Sequence, residues 1–163
     1  MILRFEPLAV QHLPAILEIE GASNPAPWSE QSFRNELINP QSVFLVAVAD
    51  GTVAAYGGYW RCIDEAHITT VAVAPARRRE GIGRRLMVEL LMRARDEGMV
   101  CSTLEVRAGN LAAVQLYEEL GYAVCARRKN YYPDNREDAL VMWLHHLEQW
   151  APPRAKTTSE AEE

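Results

Sequence analysis

Residues 69–90, TTVAVAPARRREGIGRRLMVEL, leave the chain few folds to choose from. The β-branched Thr69, Thr70, Val71 and Val73, set among small Ala72 and Ala74, favour a strand. Pro75 removes a backbone donor and ends the ladder. After the loop Arg77, Arg78, Arg79, Glu80, Gly81, Ile82, Gly83, the residues Ile82, Leu86, Leu90 and Leu91 recur at helical spacing. Arg84, Arg85, Glu89 and Arg93 are left for the wet face, and Gly98 is a fitting end cap. A strand, a glycine loop and a helix start in succession make an anion site. Unpaired N–H groups and the positive end of the helix dipole converge there, and glycine lets the backbone come close to the ligand. Arg84 and Arg85 stand where a Walker loop needs Lys-Ser/Thr, and Leu86 where a dinucleotide fingerprint needs its third glycine. A basic loop that merely caps an ordinary helix is the plain alternative.

The length of 163 residues suits one domain over residues 1–150 with a proper core. A net charge of -5 supplies no global field for nucleic acid, so no direct nucleic-acid partner is expected. Cys62, Cys101 and Cys125 are unevenly spaced and odd in number. They point away from a disulfide framework or a zinc site and towards small buried hydrophobes in a reducing compartment. With no signal-peptide pattern in MILRFEPL and no apolar run of membrane length, a cytoplasmic protein with no membrane partner is expected.

In chain order, residues 2–5 form a first strand and residues 10–20 a helix with Pro14 in its first turn. A breaker-rich loop over residues 21–28 ends on Trp28, a packing anchor or a wall of a substrate cleft. Ser29 caps a second helix that turns Phe33 and Leu37 inward. Strands over 43–48 and 53–60 flank the hairpin turn Asp50-Gly51, and residues 63–74 complete a meander. Gly57-Gly58 indicates a bulge or a close approach by backbone or ligand. His67 in the third strand is either a base or a satisfied structural residue. A strand over 100–107, a helix over 111–120 capped by Asn110 and Gly121, and strands over 122–127 and 139–147 follow. Residues 151–163, APPRAKTTSEAEE, carry no large apolar side chain and read as a disordered acidic tail. The order predicts an α/β fold: a mixed sheet with helices on both faces.

Glu105 interrupts the apolar pattern of a strand expected to be central. It is either a buried carboxylate poised for base work or one paired with an arginine or facing solvent. Tyr117 lies two helical turns beyond Asn110 and by default is a packing aromatic with a hydroxyl to satisfy.

The segments NPAPWSEQSF, DEAHITTVAVAP, RRREGIG, LEVRAGNLAAVQLYEELGY and RRKNYYPDNREDALVM occur together and in order. Taken whole, the chain resembles the GNAT superfamily of acetyl-CoA-dependent N-acetyltransferases, in particular the ribosomal-protein N-terminal (RimI) branch, over residues 2–145. The resemblance implies a mostly antiparallel sheet of about seven strands. It implies Glu105 as general base and Tyr117 as general acid. Backbone of Val71, Ala72 and Val73 would hold the pantetheine and acetyl group of acetyl-CoA. Arg78, Arg79, Glu80, Gly81, Ile82, Gly83 and Arg84 would cradle its pyrophosphate, and Asn110 and Tyr117 would also contact the cofactor. Trp28, Tyr131 and Tyr132 would flank the peptide, the N-terminus of a small-subunit ribosomal protein, and acidic Asp64, Glu65 and Asp134 would attract its basic chain. Ala26, which enlarges the loop before Trp28, and Gly109, where serine is frequent, depart from the pattern. No metal is required.

An amine attacks a thioester only when neutral. At pH 7 an α-amine with a pKa near ~8 is roughly a tenth neutral, and a lysine near ~10.4 about one part in 2,500. That gap of roughly 3 kcal/mol favours an N-terminus over lysine. A transferase acting on lysine or a small amine, and a non-catalytic acetyl-CoA-binding regulator, are the competing readings.

Overall fold

The computed structural model describes residues 1–154. Its elements in chain order are β1 (Leu3–Pro7), α1 (Leu13–Ser23), α2 (Glu30–Ile38), β2 (Ser42–Ala49), β3 (Thr52–Cys62), β4 (Glu65–Val73), α3 (Ile82–Asp96), β5 (Cys101–Arg107), α4 (Leu111–Leu120), β6 (Ala123–Arg128) and β7 (Ala139–Leu144). The strands form one seven-stranded sheet in the order β1-β2-β3-β4-β5-β7-β6. Only β4 and β5 run parallel; every other neighbouring pair is antiparallel.

Period-two alternation sorts the side chains onto the two faces. On β2, Leu45, Ala47 and Ala49 pack into the cluster that holds Ile82, Leu86, Leu90 and Leu91 of α3 and Leu120 of α4. Phe44, Val46 and Val48 join the opposite cluster with Leu13, Ile16 and Ile19 of α1 and Phe33 of α2. The helices therefore cover both faces, as the element order predicted. On the α1/α2 side Phe33 meets Tyr56 edge-on at 5.7 Å and Trp28 at a 40° tilt at 5.3 Å.

Local chemistry behaves as its residues require. Ser29 Oγ accepts from the Ser32 amide, and Asn110 Oδ1 accepts from the Ala113 amide. Asp50 and Gly51 both have positive φ, 51° and 84°, as the tight hairpin turn demands. Close approach at Gly58 comes from the protein itself: a Cβ there would lie 2.5 Å from Phe44 Cδ2 and 2.6 Å from the Val43 carbonyl.

Several boundaries differ from expectation. Helix α1 runs through Gly21 to Ser23, because the Asn24 amide still reaches the Glu20 carbonyl at 3.0 Å and the Asn24 side chain reaches the Glu20 carboxylate at 2.9 Å. Strand β4 begins at Glu65, since Ile63 turns the chain at φ 60°. Strand β7 stops at Leu144; His146 turns at φ 57° and Leu147 is buried in a following 3-10 turn. Cys101 is buried, whereas Cys62 is half-buried and Cys125 exposed on β6, so burial explains only one of the three cysteines. Of the expected tail, residues 155–163 lie outside the described residues. Residues 151–154 have no regular secondary structure, and the Pro153 carbonyl accepts from Arg84 Nη2 at 2.6 Å. Among the described residues no helix is long and apolar enough to cross a membrane.

Candidate active site

Parallel pairing between β4 and β5 covers only Glu65, Ala66 and His67 against Cys101, Ser102 and Thr103. Beyond those residues the two strands part. The cause lies in β4: Gly58 faces Thr70 and Tyr59 faces Ile68, which leaves Thr69 as an extra residue in the ladder. A bulge of this kind bends its strand and increases its twist. Thr69 Oγ1 donates to the Gly58 carbonyl at 3.3 Å and secures the bulge.

The parting leaves one edge of β4 without a strand. The Ala74 amide donates back to Ala54 of β3 at 2.7 Å. Strand alternation therefore places the amide of Ala72 on the same, β3-facing side. Val71 and Val73 turn their N–H and C=O groups the other way, into the gap; consistently, the Val73 carbonyl accepts from Arg78 Nε at 3.4 Å. Ala72 therefore offers the gap no free amide, and its side chain packs against the α1/α2 cluster.

A cleft of about 420 Å³ fills this gap. Its walls bring together residues 68–72 of β4, residues 104–107 of β5, Asn110, Tyr117, Tyr132 and Trp28 with the loop before it. Tyr131 does not line the cleft. It stands just outside, exposed, where the Glu105 carboxylate raises its pKa through hydrogen bonding first and charge second. His67 remains in the paired half of β4, bonded to Glu65 at 3.0 Å, outside the cleft. Asp64 and Glu65 share that end of β4, beside Cys101 at the start of β5, while Asp134 is tied at 3.1 Å to Arg107 at the other end of β5.

Glu105 opens onto the cleft with a third of its side chain exposed, and Arg128 Nε lies 3.4 Å from its Oε1. Burial, one of the two readings open in the sequence, is not what the fold gives it. Tyr117 is half-buried at the edge of the α3/α4 core, 5.9 Å edge-on from Tyr122. Its hydroxyl has no hydrogen-bond partner among the described residues. Desolvation, then the neighbouring Tyr132, pushes its pKa up to about 12.

The glycine loop follows β4 past the end of the cleft. Arg79 at φ 66° and Gly81 at φ 78° are both left-handed, and Gly81 is the N-cap of α3. Such curled backbone gathers amides into an anion-binding concavity at a helix start. A Cβ at Gly83 would lie 3.3 Å from Val73 Cγ2, so a side chain there would press on the strand edge the cleft uses. Arg78 also reaches Ser23 Oγ at 3.2 Å, and Glu80 pairs with Arg77 at 3.0 Å.

Three features escaped the sequence. Arg107 organises the loop between β6 and β7: its Nη1 donates to Asp134 at 3.1 Å and Asn135 at 3.3 Å, and its guanidinium carbon sits 3.9 Å from the Tyr132 ring centroid. Glu137 of the same loop accepts from the Gly109 amide at 2.7 Å, and a Cβ at Gly109 would lie 2.5 Å from that carboxylate oxygen. Glu20, only 1% exposed, is a carboxylate in the buried stripe of α1 and borders the cleft. Its spacing after Leu13 and Ile16 was the signal available for it.

The sequence profile of the Acetyltransferase (GNAT) family matches residues 13–122. The chain belongs to the GNAT acetyltransferase family. It is 38% identical over 139 residues to the [ribosomal protein bS18]-alanine N-acetyltransferase of Escherichia coli (strain K12), covering 84% of this chain and 93% of that protein. The counterpart from Haemophilus ducreyi is 30% identical over 143 residues, with 86% and 98% covered. The crystal structure of the ribosomal-protein-S18-alanine N-acetyltransferase from Escherichia coli superposes with a TM-score of 0.83 at 33% identity, covering 96% of this chain and all (100%) of that one. Ard1 from Thermoplasma volcanium shares the fold at a TM-score of 0.82 and 24% identity, with 89% and 98% covered. The GNAT chain is an acetyl-CoA-dependent N-acetyltransferase. Among its described residues no group of three or more His, Cys, Asp or Glu side chains is placed to hold a metal ion.

Proposed function

We propose that this transferase acetylates the α-amine of an N-terminal alanine on a small-subunit ribosomal protein in the cytoplasm, with Glu105 as general base and Tyr117 as general acid. The observation that carries the reading is that Glu105 and Tyr117 line the same cleft as the strandless edge of β4. The relatives named for ribosomal-protein alanine acetylation support the substrate class.

The residues fit acetyl-CoA as the second substrate. The Val71 and Val73 amides offer donors to its carbonyl groups, and the left-handed loop through Arg79 and Gly81 offers amides to its pyrophosphate. Arg78 and Glu80 belong to that loop, the backbone of Ile82, Gly83 and Arg84 forms the first turn of α3 beyond it, and Asn110 borders the cleft at the start of α4. Trp28 and Tyr132 form walls on the acceptor side, and Tyr131 stands outside them against Tyr132 and Glu105. Glu105, open to water at the cleft, removes the amine proton directly or through one water. The Tyr117 hydroxyl, lacking a partner among the described residues, is free to donate to the departing sulfur.

The test is mass spectrometry of peptide pools incubated with enzyme and acetyl-CoA, scoring α-amine against lysine products. Acetylated N-terminal alanine is expected. Predominant lysine or small-amine products would replace this reading with the wider transferase one, and acetyl-CoA binding without any product would leave a regulator.

A further inference from the structure

We infer that Glu20 is a positioning residue that sets the acceptor wall of the cleft by pinning the loop between α1 and α2 to the sheet. The inference rests on the acceptor-side reading of that wall given above. Glu20 is a carboxylate within the α1/α2 core cluster and carries no salt bridge among the described residues. Burying such a group is costly unless hydrogen bonds satisfy it. Here every partner has a purpose. Oε1 accepts from Asn24 Nδ2 at 2.9 Å and from the Trp28 amide at 3.3 Å, the two ends of the loop. Oε2 accepts from the Tyr56 hydroxyl, which stands on β3. Asn24 Oδ1 in turn accepts from the Ala26 amide at 3.0 Å, so the chain of bonds runs through the loop that forms the wall. The remainder of the loop has little else to fix it: Ala26 and Pro27 are exposed, and no regular element spans residues 24–28.

Acceptor geometry, rather than charge, is the property this role needs. A glutamine can keep both Oε1 bonds and turn its NH2 group to Tyr56, whose hydroxyl both donates and accepts. Alanine loses all of them. Glu20→Gln is therefore expected to stay within about threefold of the native KM for an alanine-initiated peptide. Glu20→Ala should raise it on the order of tenfold to a hundredfold, the scale of loss that displacing a positioning group produces. Acetyl-CoA affinity, measured by calorimetry, should be unchanged in both. Tyr56→Phe removes the tie to the sheet, leaves the loop ends joined, and should fall between the two; it serves if Glu20→Ala does not fold.

Hydrogen exchange of the Asn24, Ala26 and Trp28 amides, the three that Pro25 and Pro27 leave in the loop, gives a readout independent of turnover. Faster exchange confined to that loop in Glu20→Ala or Tyr56→Phe, with native exchange in Glu20→Gln, supports the pin. Native exchange in the loop, or a rise in peptide KM matched by an equal loss of acetyl-CoA affinity, would overturn it. Failure of Glu20→Gln to restore the peptide KM would overturn it as well, since charge would then be what matters. If the native enzyme acetylates no N-terminus at all, the proposed substrate fails while the exchange measurement still decides the pin.

Discussion

Tyr117 offers the sharpest test of the mechanism, because its environment fixes both where it can act and how much it can contribute. Burial, with the adjacent Tyr132, moves its pKa up to about 12. An acid works only while protonated, so an upward shift extends its working range towards high pH. At pH 10 an ordinary phenol of pKa ~10 is half ionised, whereas one at about 12 is ionised roughly once in a hundred. The native kcat should therefore rise as pH frees the amine and stay level through pH 10. The same shift limits complete proton transfer. A thiol of ordinary acidity, ~8.5, lies about 3.5 pKa units lower, which makes transfer to a free thiolate uphill by roughly 5 kcal/mol. The phenol must then act mainly by donating a hydrogen bond as charge builds on sulfur, a contribution on the scale of one oxyanion-hole donor, roughly 10²–10³ in kcat. Tyr117→Phe should lose about that much and keep its acetyl-CoA affinity. The assay is α-amine acetylation from pH 6 to 10 alongside calorimetric acetyl-CoA binding. A native alkaline limb centred near 10 that vanishes in Tyr117→Phe would refute the raised pKa. Equal losses of turnover and cofactor binding would reduce Tyr117 to a packing aromatic.

Glu105→Gln should lower kcat by roughly 10²–10⁴ with acetyl-CoA binding retained, and an unchanged pH–rate profile would remove Glu105 from the base role. Arg107→Ala should release the loop that carries Tyr132 and raise the peptide KM on the order of tenfold; an unaltered KM would show that the loop is held by other means. Gly58→Ala forces a methyl group against Phe44 and the Val43 carbonyl and should cost about 1–3 kcal/mol in chemical denaturation, so a native midpoint would contradict the close approach seen there.

Whatever depends on neighbours in the chain was legible in the residues. The Ser29 and Asn110 caps, the Asp50-Gly51 turn and the glycine entry to α3 are set by hydrogen bonds and dihedral preferences within a few positions. The buried stripe of α3 follows from its spacing. Resemblance then attached acetyl-CoA chemistry to a pattern that composition alone left open. What tertiary structure decided is where strands stop pairing and which charges stay wet. The extra residue at Thr69 exists only in the register with β3, and without it β4 and β5 would have no reason to part. Glu105 is exposed because the strand next to it has bent away, while Glu20 is buried because β3 brings a tyrosine to meet it. Arg107 gains its hold on Tyr132 from a loop 25 or more positions further on. A carboxylate or guanidinium carries the same residue name in every setting. Solvent exposure and partners come from distant segments, so the fold alone assigns them.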